Sequence, residues 1–126
     1  MLNYLRALLV VANPIERKKL GADLKTGIKL VTIKDNIESF QKLLGGPVEA
    51  VHISSDTLLL VNEEGELKRL DPNFYIYHKG LKFDRSQVIL GNVIFIGQKD
   101  SSFIGLTNKQ MDIIKHELIT ARGIRF

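Results

Sequence analysis

The chain has 126 residues, a length that suits one domain with a core large enough to fold without disulfides or metals. It has no cysteine, so it can form neither a disulfide nor a thiolate zinc site. Hydrophobic residues make up 44% and charged residues 25%, close to the average of globular proteins, which excludes a largely disordered chain. The net charge of +4 excludes an acidic protein that mimics DNA. It is compatible with an anionic partner, and equally with none.

The N-terminal region predicts a strand rather than a targeting segment. The apolar run at residues 8–12 is too short to span a bilayer and lacks the charged start of a signal peptide. We therefore expect a cytoplasmic protein with no membrane association. Residues 5–11 and 28–33 predict strands. The polar and basic residues 15–26 between them suit a short helix or a loop.

Two helices are predicted from their capping residues. Asp35 and Glu38 have the spacing of a capping box, and glycines 45 and 46 end the helix that follows. Thr107 and Gln110 form a second capping box before the last helix. The apolar stripes are Ile37, Phe40, Leu43 and Leu44 in the first helix, and Met111, Ile114, Leu118 and Ala121 in the second.

Residues 48–70 predict an antiparallel meander of three strands, at 48–53, 57–61 and 66–70. The segment 54–56 connects the first two strands. Asn62 and Gly65 occupy the first and fourth positions of the next link, as a type I turn prefers. Links this short favour antiparallel pairing.

The C-terminal half predicts further strands and completes the fold class. Residues 74–77 and 81–83 suit short extended pieces. Residues 88–96 suit one long strand, in which Gly91 indicates either a bulge or a close approach of the backbone. Residues 124–126 follow the last helix as a tail. The order predicts an α+β fold in a single domain, 1–126, in which a mainly antiparallel sheet of five to seven strands carries two helices on one face.

Five short motifs carry a family resemblance. They are GGPVE at 45–49, NEEGEL at 62–67, LDPN at 70–73, ILG with VIFIG at 89–97, and LTNKQ at 106–110. In this order they resemble a small domain-of-unknown-function family carried by phages, plasmids and conjugative elements of Gram-positive bacteria. The resemblance covers residues 28–118, so residues 1–27 are expected to be an N-terminal extension. It implies a mobile-element accessory protein and no particular activity.

No residue pattern predicts catalysis. Glu63 and Glu64 lie in a predicted turn, where both carboxylates would be solvated. Asp112 and His116 share one face of a helix and suit either a metal or, more simply, an exposed ion pair. The glycines at 45 and 46 follow a helix, whereas a phosphate-binding loop precedes one. We therefore predict a protein that is not an enzyme, with no cofactor and no metal.

Basic and aromatic residues concentrate between residues 68 and 85. Aromatic rings stack on bases and cations bind phosphates, so this mixture suits a nucleotide or a single strand. A solvated sheet edge protected by lysines has the same composition. The expected ligand-binding residues are Lys68, Arg69, Asn73, Tyr75, Tyr77, Lys82, Arg85, Asn92, Arg122 and Arg125. Arg122 and Arg125 suit either a subunit boundary in a homo-oligomer or the end of the last helix.

Three functions follow as hypotheses. The first is counter-defence by a phage or mobile element, in which the protein sequesters an anionic nucleotide signal of the host. The second is inhibition of a host defence protein, such as an RNA-guided nuclease, by direct contact. The third is nucleic-acid binding, for which affinity should fall steeply with salt because phosphate contacts release counterions.

Overall fold

The structure, a computed structural model, describes residues 3–78, 85–121 and 123–125. These residues form nine strands and three helices. The elements in chain order are β1 Tyr4–Val10, α1 Pro14–Leu20, β2 Ile28–Lys34, α2 Ile37–Leu44, β3 Val48–His52, β4 Thr57–Asn62, β5 Pro72–His78, β6 Arg85–Leu90, β7 Val93–Lys99, β8 Ser102–Ile104, α3 Asn108–Ala121 and β9 Gly123–Arg125. The predicted α+β class and the mainly antiparallel sheet are confirmed.

The strands form a main sheet and a small sheet. The main sheet has six antiparallel strands in the order β2-β1-β7-β4-β3, with β8 paired to the end of β7. The small sheet has the order β6-β5-β9, in which β9 runs parallel to β5. β1 therefore lies inside the main sheet, between β2 and β7, while the outer edges belong to β2 and β3.

The main sheet is covered on both faces because its inner strands alternate between two apolar clusters. One cluster joins Leu8, Val10, Leu59, Val93 and Phe95 of the sheet to Phe74, Ile76 and Ile89 of the small sheet and to Met111, Ile114 and Leu118 of α3. The other joins Ala7, Leu9, Leu58, Leu60 and Ile94 to Phe40 and Leu44 of α2. The expected placement of both helices on one face is therefore wrong: the strands are apolar on both faces, and each face needs a cover.

The helix ends follow the expected capping chemistry with one shift. The N-cap of α2 is Asn36, whose Oδ1 accepts a hydrogen bond from Ser39 N at 2.8 Å, and not Asp35. Both residue types are good N-caps, so the sequence pattern does not separate neighbouring positions. Gly45 ends α2 with φ +79, as expected. The α3 capping box is confirmed, with Thr107 N donating to Gln110 Oε1 and Gln110 N donating to Thr107 Oγ1.

The meander predicted over residues 48–70 contains two strands, not three. β3 and β4 pair antiparallel through the 53–56 connection, and Gly65 N donates to Asn62 O in the expected turn. Residues 66–70 continue as successive turns, in which Lys68 N bonds Glu64 O and Leu70 N bonds Gly65 O. Local turn bonds therefore replace the ladder bonds that a third strand would need.

The apolar run 88–96 is two strands in different sheets. β6 ends at Leu90 and β7 begins at Val93, with Gly91 between them at φ +79. A Cβ at Gly91 would lie 2.7 Å from Leu70 Cδ1, so the glycine serves a reversal and a close contact, not a bulge. The expected tail is also different, because residues 123–125 form β9. The piece expected at 81–83 lies outside the described residues.

Candidate functional site

An open cleft of about 1000 Å³ lies beside the α3 face of β2. It is bounded by the 23–27 turn, β2, the start of β5 and the C-terminal half of α3. Its volume is at the upper end of the range for small-molecule pockets. The lining residues are Arg17, Asp23, Lys25, Thr26, Ile28, Leu30, Asn73, Phe74, Lys115, Leu118 and Ile119.

The 23–27 turn forms one end of the cleft and is held by Asp23. The Asp23 carboxylate accepts hydrogen bonds from Lys25 N at 3.0 Å, from Thr26 N at 2.8 Å and from Thr26 Oγ1 at 2.9 Å. The Thr26 bonds, the backbone one foremost, lower the pKa of the Asp23 carboxyl below its ordinary value. The carboxylate is therefore charged at neutral pH and engaged within its own turn.

Arg17 reaches from α1 to the same turn. Its Nε donates to Val11 O at 2.7 Å, and its Nη1 donates to Leu24 O and Lys25 O at 3.1 and 3.2 Å. These three bonds to backbone carbonyls fix the guanidinium at the edge of the cleft. The positive charge is thus placed before any ligand arrives, which reduces the entropy lost on binding.

The walls of the cleft are aliphatic and partly open to solvent. Leu30 of β2 and Ile119 of α3 are 53% and 66% exposed. Leu118 and Phe74, which also line the cleft, are buried, and the Phe74 ring stacks on Phe95 with centroids 5.7 Å apart. Exposed aliphatic side chains beside cations suit a ligand that has both an apolar part and a negative charge.

The segment that contributes Arg17 and Lys25 to this cleft carries much positive charge. Residues 17–34 hold six basic side chains and one acidic side chain, a net charge of +5 against +4 for the whole chain. Lys115 adds a further cation from α3. The rest of the chain is therefore close to neutral as a whole, so the excess positive charge lies in the segment that contributes Arg17 and Lys25 to the cleft.

Comparison with known proteins gives one family. The model of the family described as a domain of unknown function, DUF3846, matches residues 20–119. The chain belongs to the DUF3846 family. No curated protein and no solved structure matches the chain significantly. The DUF3846 match begins at residue 20, ahead of the expected start at residue 28, and so includes the 23–27 turn.

The DUF3846 match and the cleft do not coincide fully. Lys25, Leu30 and Lys115 lie inside the matched residues, whereas Arg17 precedes them. β1 also precedes the match although it lies inside the main sheet. The N-terminal residues thus supply both a central strand and part of the cleft.

Four of the sequence-predicted ligand residues of this DUF3846 protein bond to its own backbone or neighbours, or lie in a turn. Lys68 Nζ donates to Gly45 O at the end of α2 and pairs with Glu64 at 3.4 Å. Arg69 is exposed in the following turn, with φ +52. Asn73 Nδ2 donates to the carbonyls of Val10 and Gly91, each at 2.9 Å. Asn92 accepts from Ala12 N and donates to Glu16.

The remaining predicted residues belong to the small sheet or lie outside the described residues. Tyr75 is 48% exposed on β5. The backbone of Tyr77 pairs with that of Arg125 in β9, and Arg85 begins β6, but their side chains lie outside the described part of the structure. Lys82 and Arg122 lie outside it entirely. Of the predicted ligand-binding residues that the structure describes, Asn73 lines the cleft and Asn92 lines a separate depression of about 300 Å³.

Sequence reasoning missed the main groups of the cleft. The basic residues at 17–19 and 25 were visible as a run, but nothing local joined them to a binding site. Lys115 and Ile119 lie about ninety positions from Lys25, so their proximity depends on the packing of α3 over the sheet. In the described residues no cluster of three metal-ligating side chains occurs. None of the helices described has the length and apolarity needed to cross a bilayer.

Proposed function

We propose that this DUF3846 protein is a non-enzymatic accessory protein of a phage or mobile element that sequesters an anionic nucleotide signal of host defence. The observation that carries the proposal is the cleft, where Arg17, Lys25 and Lys115 accompany an aliphatic wall. Among the described residues that line the cleft, Asp23 has the one carboxylate, and this carboxylate is engaged in its own turn. The origin in phages or mobile elements rests on the motif resemblance.

The cleft suits a nucleotide because its two kinds of surface match the two parts of such a ligand. The cations of Lys25 and Lys115 come from different elements and would bind phosphate oxygens. Leu30 and Ile119 would cover the base or the sugar and exclude water from one side of it. Binding would need little rearrangement of Arg17, since its guanidinium is already held by carbonyls.

Titration calorimetry with a panel of cyclic dinucleotides and cyclic ADP-ribose isomers tests this function. We expect at least one ligand to bind, and Lys115→Glu or Lys25→Glu to weaken it by roughly tenfold or more, as expected when one charged contact is lost. Lys109→Glu is the matched control, because Lys109 is exposed on the same helix and does not line the cleft. The proposal fails if the panel gives no heat, or if Lys109→Glu has the same effect as Lys115→Glu.

Direct contact with a host defence protein is the second candidate, favoured by exposed aliphatic side chains at the same place. Leu24 is 65% exposed in the turn that borders the cleft, and Leu30 and Ile119, which line the cleft, are exposed as well. Such a patch would be covered by a partner. Two results together would favour this candidate: the unaltered chain binds no nucleotide, and it forms a complex with a host protein that the Ile119→Asp variant does not form. Binding of DNA or RNA that collapses with added salt would favour a nucleic-acid partner.

A further inference from the structure

The backbone of β2 has hydrogen-bonding groups that face away from the sheet. Ile28 O accepts from Asp23 N on the outer side, whereas Gly27 O accepts from Val11 N on the β1 side. Because this direction alternates along an antiparallel strand, Leu30 and Thr32 also direct their N–H and C=O groups outward. In the described part of the chain, nothing bonds to these four groups.

The side chains along this edge do not cover it. Leu30 is 53% exposed, and Thr32 and Lys34 are exposed. They share the α3 face of β2 with Ile28, which packs against the core. An added strand would therefore find free backbone partners, and its apolar side chains on this face would lie beside Leu30.

The charges at this edge identify the kind of strand. Lys29 and Lys34 lie on β2 itself, and Lys25 lies in the turn before it, within the segment of net charge +5. Lysines on an edge discourage pairing with a second copy of the same edge, because like charges would meet. An acidic strand would instead gain from the same lysines.

We propose that the outer edge of β2 docks an acidic, extended segment of a partner protein, which joins the main sheet as a further strand. This inference goes beyond the proposed function, since it uses the outward backbone groups of β2 from Leu30 to Lys34, although the Leu30 side chain also lines the neighbouring nucleotide cleft. The backbone bonds would supply affinity, and the lysines would select the acidic partner.

Fluorescence anisotropy with a short labelled peptide that alternates glutamate and valine tests the inference on the whole chain. The acidic peptide should bind, and a peptide with lysine in place of glutamate should not. Thr32→Pro removes the outward N–H of residue 32 but leaves Val31 and Ile33 paired with β1, so affinity should fall roughly tenfold or more. Thr32→Val keeps that N–H and is the matched control. Lys29→Glu should weaken binding of the acidic peptide, because residue 29 lies on the face opposite Leu30, where the glutamates lie when the valines are beside Leu30.

Further measurements keep the test decisive. If Thr32→Pro fails to fold, the acidic peptide with N-methyl groups on alternate residues is tested against the unaltered protein and should lose binding. Undiminished binding of the methylated peptide, or no binding of the acidic peptide, overturns the inference. A dimer that Thr32→Pro dissociates would also overturn it, in favour of a second copy. Lys115→Glu should spare peptide binding and impair nucleotide binding, so each proposal can fail alone.

Discussion

The guanidinium of Arg17 lies over Gly27, in the space that a side chain at residue 27 would occupy. An ideal Cβ there would be 2.7 Å from Arg17 Nε and 2.2 Å from the carbonyl oxygen of Val11. Gly27 also has φ +78, a conformation that other residues rarely adopt. The glycine therefore allows the guanidinium to reach the Val11 carbonyl, and so places the charge beside the cleft.

Gly27→Ala should destabilise the protein more than Gly21→Ala does. Both glycines have positive φ, but a Cβ at Gly21 would meet nothing within 4 Å. Gly21→Ala should cost about 1–2 kcal/mol from backbone strain alone. Gly27→Ala should cost at least about 1 kcal/mol more, since the methyl group displaces Arg17 or Val11. Urea unfolding of the two variants measures both losses in unfolding free energy. Equal losses would show that the contact between residue 27 and Arg17 does not matter for stability.

The α3 capping box should contribute measurably to stability. Thr107→Ala removes the acceptor of Gln110 N and should lower the unfolding free energy by about 0.5–2 kcal/mol. Thr107→Ser keeps the hydroxyl and should cost much less. Gln110→Ala should cost more than Thr107→Ala, because Gln110 also donates to Asp56 O and Thr57 Oγ1. A Thr107→Ser variant as unstable as Thr107→Ala would contradict the capping role.

Asn73 should behave as a structural residue even though it borders the cleft. Its amide joins Val10 at the end of β1 to Gly91 between β6 and β7. Asn73→Ala leaves two carbonyls without this donor and should cost about 1–3 kcal/mol. Asn73→Asp should cost more at neutral pH, because a carboxylate would face those carbonyls. Thermal unfolding of both variants at neutral and acidic pH measures these changes in stability. If neither variant is less stable than the unaltered protein, Asn73 is not structural and remains a candidate ligand-binding residue.

Features that depend on neighbouring residues were predictable from sequence, whereas those that depend on packing were not. The capping box of Thr107 and Gln110 and the turn from Asn62 to Gly65 each involve groups three residues apart, so the pattern carries the information. The division of the run 88–96 into two strands at Gly91 is not visible in neighbouring residues. An apolar run with one glycine suits a bulged strand and a reversal between two sheets equally. The contact with Leu70 decides between them, and it is tertiary.

The same reasoning explains why the cleft was missed. Sequence clustering favoured residues 68–85 because their cations and aromatic rings are neighbours in the chain. The fold instead commits Lys68 to the end of α2 and places Lys25 and Lys115, which are about ninety positions apart in the sequence, on the same cleft. Proximity in sequence predicts a shared turn or helix face well, but a cleft between elements depends on their packing.

The 23–27 turn should give the protein an acid-sensitive contribution to stability. Hydrogen bonds from Thr26 lower the pKa of Asp23 in the folded state, so folding favours the charged carboxylate. Stability from this group is therefore present above the unfolded-state pKa of about 4 and is lost as pH falls through the lower folded-state value. Asp23→Asn should then destabilise the protein most at neutral pH, and the difference from the unaltered protein should shrink below about pH 4. Urea unfolding across that range measures the difference. The shifted Asp56 carboxyl is present in both proteins and cancels, so a difference that stays constant with pH would show that the Asp23 charge does not support the turn.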